Sequence, residues 1–376
     1  MSQYSTNNKV IFENNSCEII YQNSFDLFNI IDRLNSDPLI TEIELLFAAA
    51  VDKTDIELIT KLIVTNKYIT SFNIRSYGID INIDTILEAL KNSNVTKLTF
   101  LSEFILSTNM IVDLMKNNKT ITSLSFYGTS ESTYKAINEI LKFTTTLQEL
   151  FVNDLHFMTS DKAVALADGI VQNNSLRKIS FNMESKDIEV NEQSIINNKC
   201  IKLIMTAIKN NDGINEISFE TDDDINMRLF IDKLLENKRI KKLNFKMWND
   251  TYEWQQYITN ELCKLITETT TITDLNLDIF NYDQRITKII FDAISNNKSI
   301  VNLKWTNFIK FIDNINELTN FINKLNRAIN IYIDYLTNIH DVKNQIKINS
   351  DPECDNKLIN IARKSNIDLT MNKIDY

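Results

Sequence analysis

The chain has 376 residues, a formal net charge of −10, 43% hydrophobic residues and only 4 Gly and 2 Pro. The acidic balance disfavours nucleic acid, whose phosphates need a basic stripe, and no apolar run approaches the ~18–20 residues of a membrane-spanning helix. Cys17, Cys200, Cys263 and Cys354 show no paired spacing, and the polar start MSQYSTNNKV reads as neither a signal peptide nor a myristoylation site, so a reduced, cytoplasmic chain is expected.

Residues 1–37 read as an N-terminal cap, with Phe25, Leu27, Phe28, Ile31 and Leu34 on a short apolar helix. Pro38 precedes the first clear strand, where its missing N–H is least costly. From residue 38 to 309 one phrase recurs about ten times: NKTITSLSF at Asn118–Phe126, NSLRKISF at Asn174–Phe181, NKRIKKLNF at Asn237–Phe245 and NKSIVNLKW at Asn297–Trp305 are four copies. Its middle apolar position is filled by Ile43, Phe72, Leu98, Leu124, Leu150, Ile179, Ile217, Leu243, Leu275 and Leu303. Successive copies lie roughly 26 to 38 residues apart, with a mean near ~29, and such a period marks a solenoid. Within a copy the order is apolar-x-x-apolar-x-apolar, as in Ile121, Leu124 and Phe126. The last two apolar residues are two apart and share one face of a strand.

Helix-period segments separate the phrases. Ile86, Leu87 and Leu90 fall on one side of the first clear example. Leu229, Phe230, Lys233 and Leu234 make a second stripe with Lys233 at its edge, and Ile258, Leu262, Leu265 and Ile266 make a third. These spacings predict half-buried helices. Most of them run into Asn pairs such as Asn117-Asn118, Asn173-Asn174, Asn210-Asn211 and Asn296-Asn297. Asn tolerates the left-handed conformation, so it is expected to close the helices in place of Gly. Strand–helix–strand order predicts a parallel sheet with every helix on one side. No single unit encloses a core, so stacking must supply the burial. Residues 310–376 read as C-terminal repeats and a cap. Phe311, Ile315, Leu318, Phe321, Ile322 and Leu325 predict a long helix, Ile329 and Ile331 a strand, Pro352 a turn, and Ile367–Met371 a closing strand.

The strand phrase followed by a full helix resembles the leucine-rich repeat, in the subclass typified by ribonuclease inhibitor. The resemblance covers roughly Leu39 to Phe308. It implies an α/β fold, a leucine-rich-repeat solenoid with a curved parallel sheet inside and helices outside. In that family Asn or Cys usually stands three residues after the third apolar position. Here Tyr77, Glu103, Thr129, Leu155, Glu184, Asp222, Trp248, Phe280 and Phe308 occupy those sites, so no asparagine ladder is expected after the strands. The Asn-, Ile- and Lys-rich style is similar to AT-rich coding, as in giant viruses, protists or intracellular bacteria.

The residues give catalysis little to use. His156 and His340 fall in separate repeats, too few for a triad or a zinc site. Gly78, Gly128, Gly169 and Gly213 are isolated, so no phosphate-cradling loop is built. Catalytic residues, metal ligands and cofactors are therefore not expected. The N-x-S/T sequences at Asn94 and Asn118 read as chance occurrences in an Asn-rich chain.

Two charge patterns point to protein binding. Just before the middle apolar residue, successive repeats carry Glu149, Lys178, Glu216, Lys242 and Asp274; four positions on stand Glu220, Lys246 and Asp278. Alternating signs on strands ~4.8 Å apart predict a concave ladder of opposite charges, either a docking groove or a self-neutralised ionic surface. The second pattern lies in the longer loops. Glu184, Asp187, Glu189 and Glu192 fill one, Asp222, Asp223 and Asp224 follow the next strand, and Trp248, Asp250, Tyr252 and Trp254 fill another. Such loops emerge on one rim. Acidic groups beside Trp and Tyr suit a partner with a basic surface; repeat drift and Asp helix caps are the structural reading of the same residues. The expected function is a non-catalytic protein–protein interaction scaffold. Ran GTPase-activating proteins share the repeat subclass, so a regulator of an enzyme, a GTPase activator or an inhibitor, is the alternative, with Arg75 beside an early loop as its candidate residue. A structural or virion assembly component is a further one.

Overall fold

The computed structural model describes residues 9–21, 27–48, 51–76, 83–101, 108–127, 130–153, 158–183, 192–221, 225–247, 252–279, 284–308, 329–336 and 369–374. The chain divides into two compact units, Met1–Phe181 and Asn182–Tyr376.

In the first unit β1 (Lys9–Glu13) and β2 (Ser16–Tyr21) form an antiparallel hairpin. Its turn holds Asn14, the one non-glycine residue with positive φ (51°) among the described residues. β2 then pairs in parallel with β3 (Glu42–Phe47), and the run continues through β4 (Ser71–Ser76), β5 (Lys97–Phe100), β6 (Ser123–Phe126), β7 (Glu149–Val152) and β8 (Lys178–Met183). Six helices make the crossovers: α1 (Phe28–Ser36), α2 (Lys53–Thr65), α3 (Asp84–Leu90), α4 (Thr108–Asn117), α5 (Glu131–Phe143) and α6 (Ser160–Gln172). In the second unit α7 (Glu192–Asn210), α8 (Ile225–Glu236), α9 (Tyr252–Glu268) and α10 (Gln284–Asn296) alternate with β9 (Glu216–Thr221), β10 (Lys242–Met247), β11 (Asp274–Ile279) and β12 (Asn302–Phe308). Two further parallel strands follow, β13 (Asn330–Leu336) and β14 (Leu369–Ile374).

The register follows the repeated phrase. Ile43 pairs with Phe72, Phe72 with Leu98, Leu98 with Leu124 and Leu124 with Leu150. Cys17 pairs with Ile43, so the column begins one strand earlier than the phrase indicated, within the expected cap. At the other end it passes from Leu303 to Ile331 and Leu369. The long helix expected over Phe311–Leu325 lies outside the described residues.

Helices on one side of a twisted parallel sheet bury alternate strand residues. Phe100 and Phe126 are buried and stack at 5.3 Å; Phe219 stacks on Phe230 of α8 at 3.9 Å; Trp305 is fully buried, its indole donating to the Ile279 carbonyl at 3.4 Å. The expected stripes hold on α3 and α9. On α8 the buried residues are Met227, Phe230, Ile231 and Leu234; Leu229 is only half-buried and Lys233 pairs with Glu236. The stripe that is buried carries Phe230 onto the Phe219 ring.

The helix ends depart from expectation. Asn66 and Asn173 are extended, with φ −75°, ψ 133° and φ −87°, ψ 134°, and not left-handed. Their side chains do the closing. Asn66, Asn118, Asn173, Asn211, Asn237 and Asn297 are all buried. In each, Oδ1 accepts from the backbone N–H groups two and three residues on, as from Thr120 and Ile121 (both 2.8 Å) at Asn118. Nδ2 reaches back one repeat to the end of the preceding helix: Asn66 to the Leu34 carbonyl (2.7 Å), Asn118 to Leu90 (2.7 Å), Asn173 to Leu141 (2.8 Å) and Asn297 to Ile266 (2.7 Å). These are the carbonyls that a helix leaves unpaired. An asparagine ladder therefore exists, before the strands instead of after them. Ser93, Thr144 and Thr269 take the same place in other repeats; Ser93 Oγ donates to the Leu90 carbonyl (2.9 Å) and accepts from Val95 N–H (3.3 Å). Burial of Asn118 also removes it as a glycosylation acceptor in the folded chain.

Candidate functional site

Residues flanking the buried columns line the open face of each sheet, opposite the helices. On the second unit they are charged in rows. Glu216, Lys242 and Asp274 are in register, as are Glu220, Lys246 and Asp278. Lys242 lies 3.6 Å from Glu216 and Lys246 lies 3.5 Å from Glu220. Asn244, between the rows, donates to Glu216 (2.9 Å) and to Ser218 (2.9 Å), while Asn302 donates to Asp274 (2.7 Å). Partly exposed pairs of this kind are each worth about 0–1 kcal/mol. Their main effect is to fix long side chains along the sheet. In the first unit Glu149 and Lys178 are likewise in register.

The open face of the first unit is graded. Its hairpin end carries Glu13, Glu18, Glu42 and Glu44 around a cleft of about 240 Å³. Asn73 donates to Glu42 at 2.8 Å, and Arg75 lies 3.3 Å from Glu44. Arg75 is thus inside β4 and tied to the neighbouring strand; the sequence had placed it beside a loop. Burial raises the Glu44 carboxyl above its ordinary value; the Arg75 guanidinium opposes this and the Glu18 and Glu42 charges add to it. A carboxyl with a raised pKa favours folding most below about pH 4.5, its ordinary value, and loses that contribution as pH rises through the folded value. Glu44→Gln keeps an acceptor for Arg75 and removes the charge. Its denaturation midpoint should therefore change less between pH 5 and pH 7 than that of the wild type; equal shifts would remove Glu44 as the source.

Further along the same face most side chains are small, Ser71 and Asn73 on β4, Thr99 on β5, Ser123 and Ser125 on β6, with exposed Lys97 between Ser71 and Ser123. Beyond them Tyr127, 38% exposed, packs on half-buried Phe151 with ring centroids 4.6 Å apart. This aromatic pair was not singled out from sequence. Its signal was present: in the phrases that contain Tyr127 and Phe151 an aromatic replaces the polar residue that the open face usually carries.

The expected rim is only partly within view. Glu184, Asp187, Glu189, Asp222, Asp223, Asp224, Trp248 and Asp250 lie outside the described residues, as do His156 and His340. Glu192 falls at the start of α7, and Tyr252 and Trp254 fall in the first turn of α9. Cys17, Cys200 and Cys263 carry free thiols. Burial pushes the Cys17 and Cys263 thiols up to about 12, so neither supplies a thiolate at neutral pH. Among the described residues no group of three or more His, Cys, Asp or Glu is arranged to hold a metal ion, and no helix is long and apolar enough to cross a membrane.

The fold is similar to that of a known leucine-rich repeat-containing protein. The leucine-rich repeat-containing protein LegL7 of Legionella pneumophila aligns with a TM-score of 0.53 at 15% identity, over 76% of this chain and 87% of its own. A Bacteroides fragilis protein aligns at a TM-score of 0.35 and 10% identity, over 60% and 72% of the two chains. The tropomodulin C-terminal domain of Caenorhabditis elegans aligns at 0.27 and 15%, over 49% and 93%. No family model and no curated protein sequence matches the chain. The likeness to LegL7, with the parallel register and the helix after each strand from β2 to β11, establishes an α/β leucine-rich-repeat solenoid.

Proposed function

We propose that this chain is a non-catalytic protein-interaction scaffold. Its partner presents a basic surface to the open faces of the sheets and to the acidic–aromatic segment from Glu184 to Trp254. The observation that carries the reading is the Tyr127–Phe151 pair, an aromatic contact left exposed on the open face of the first unit. Exposed aromatics ringed by polar groups are the usual anchors of protein interfaces. The charge rows of the second unit, already paired within the sheet, contribute register and exclusion of wrong partners more than affinity.

A photo-crosslinking residue at position 127 should capture a partner in cells of origin that the same residue at Val164, exposed on the outer helix α6, does not capture. Trp248→Ala/Trp254→Ala should weaken that capture. Identical captures at positions 127 and 164, or none at 127, would count against the scaffold reading. The enzyme-regulator alternative asks Arg75 to reach out of the sheet, and its ion pair with Glu44 acts against that. An assembly component is distinguished by concentration-dependent self-association in sedimentation.

A further inference from the structure

We infer that the open face of the first unit docks an extended segment of a partner protein, cationic at one end and aliphatic or aromatic at the other. The inference rests on the scaffold reading and goes further by naming the occupant and its direction. Three features of the sheet lie in sequence along one face. Glu18, Glu42 and Glu44 crowd the β2–β3 end, with Arg75 as the nearby cation already held by Glu44. Along one register row Asn73, Thr99 and Ser125 form a low floor where a backbone can approach, with exposed Lys97 in the row beside it. Tyr127 and Phe151 close the other end.

The spacing fixes the length of the occupant. Strands lie ~4.8 Å apart, so three to four steps from β3 to β6 and β7 span roughly 14–19 Å. An extended chain advances about 3.3 Å per residue, so lysine or arginine side chains and the apolar anchor stand about five residues apart. Charge selects the occupant. The carboxylates outnumber Arg75 and Lys97; burial raises the Glu44 carboxyl first, and the Glu18 and Glu42 charges add a repulsion that an incoming cation relieves. A second copy of this chain, at net charge −10, or a polyphosphate would add repulsion.

The test uses the full chain and a fluorescein-labelled peptide with two arginines, a glycine–serine spacer of about five residues and a phenylalanine–leucine pair, read by fluorescence anisotropy. Changing the arginines to glutamates, or the apolar pair to serines, should each weaken binding about tenfold or more. Glu18→Gln/Glu44→Gln, nearly isosteric, should weaken the parent peptide about tenfold and lose the arginine preference while retaining the apolar one. Tyr127→Ser should do the reverse. Binding indifferent to either end, tighter binding of a labelled oligonucleotide, or peptide binding unchanged in both variants would overturn the inference. If the peptide fails while crosslinking at position 127 still captures a protein, this occupant is wrong and the scaffold reading stands; failure of both removes both.

Discussion

Asn297→Ala should destabilise the second unit by about 3–5 kcal/mol, among the largest costs expected of any side chain so small. The side chain is buried and makes four bonds to backbone: it accepts from Ser299 (2.7 Å) and Ile300 (2.8 Å), and donates to Ile266 (2.7 Å) and Thr269 (2.9 Å). Truncation strands two N–H groups in the turn and takes a donor from two helix-end carbonyls. Each buried group left without a partner costs about 1–3 kcal/mol. Asn237 supplies an internal control. Its Oδ1 makes the same two bonds, at 2.8 and 3.2 Å, but its Nδ2 has no partner among the described residues, and Arg239 reaches the Asn211 carbonyl instead. Asn237→Ala should therefore cost roughly half as much. Asn297→Thr should fall between wild type and alanine, because Thr269 already holds the equivalent place, accepting from Ile272 at 3.3 Å. Urea denaturation of the three variants checks the order; equal losses for Asn237→Ala and Asn297→Ala would show that the backward bond to the preceding repeat contributes nothing.

Phe126→Ala is expected to cost the first unit about 3–5 kcal/mol, the range for deleting a buried phenylalanine. The ring is wholly buried and stacks on Phe100 one strand away, at 5.3 Å with 12° between the planes. In a stack of repeats each core layer borders only its neighbours, so the cavity cannot be closed by collapse of a shared centre. Phe100→Ala/Phe126→Ala should then cost less than the sum of the singles, with a coupling of about 0.5–1.5 kcal/mol for an aromatic pair in contact. Guanidinium denaturation of the four proteins measures that coupling; strict additivity would mean the two rings do not meet.

Much of the fold is legible because one pattern is written many times. Ile121, Leu124 and Phe126 can each be replaced by other apolar residues, yet their spacing survives, and spacing is what a strand requires. The first parallel strand escapes notice because Cys17 holds the middle position and Tyr21 closes the strand, where the phrase leads one to look for aliphatics. Tyr21 is there for a reason the spacing does not carry: its hydroxyl donates to buried Asp55 of α2. The asparagines show a different limit. Their position at the helix end was readable, but two mechanisms suit an Asn in that place, a left-handed backbone or a side-chain cap, and only the neighbouring repeat decides between them. The acceptor for Nδ2 belongs to another repeat and is invisible in local sequence.

The candidate binding faces divide along the same line. The charge rows at Glu216, Lys242 and Asp274 follow from period alone, since like positions on successive strands become neighbours. The grading of the first unit does not. It needs the Glu44–Arg75 contact, the small residues between, and the meeting of Tyr127 with Phe151 across two strands at unlike positions in their phrases. A single aromatic in each of two phrases reads as drift until the register places them side by side.

The register is therefore what everything else depends on, and it can be measured directly. Spin labels at Ser71 and Ser180, and in a second protein at Asn73 and Lys178, form the two diagonals between matched positions on strands β4 and β8. With four parallel steps of ~4.8 Å and an offset of two residues, about 6.6 Å, pulsed electron–electron double resonance should give the same backbone separation of roughly 20 Å for both pairs, after allowance for the label arms. Diagonals that differ by about 4 Å or more, the mark of a two-residue slip, or that exceed ~30 Å, would contradict the in-register stack and with it the ladder, the core columns and the docking face.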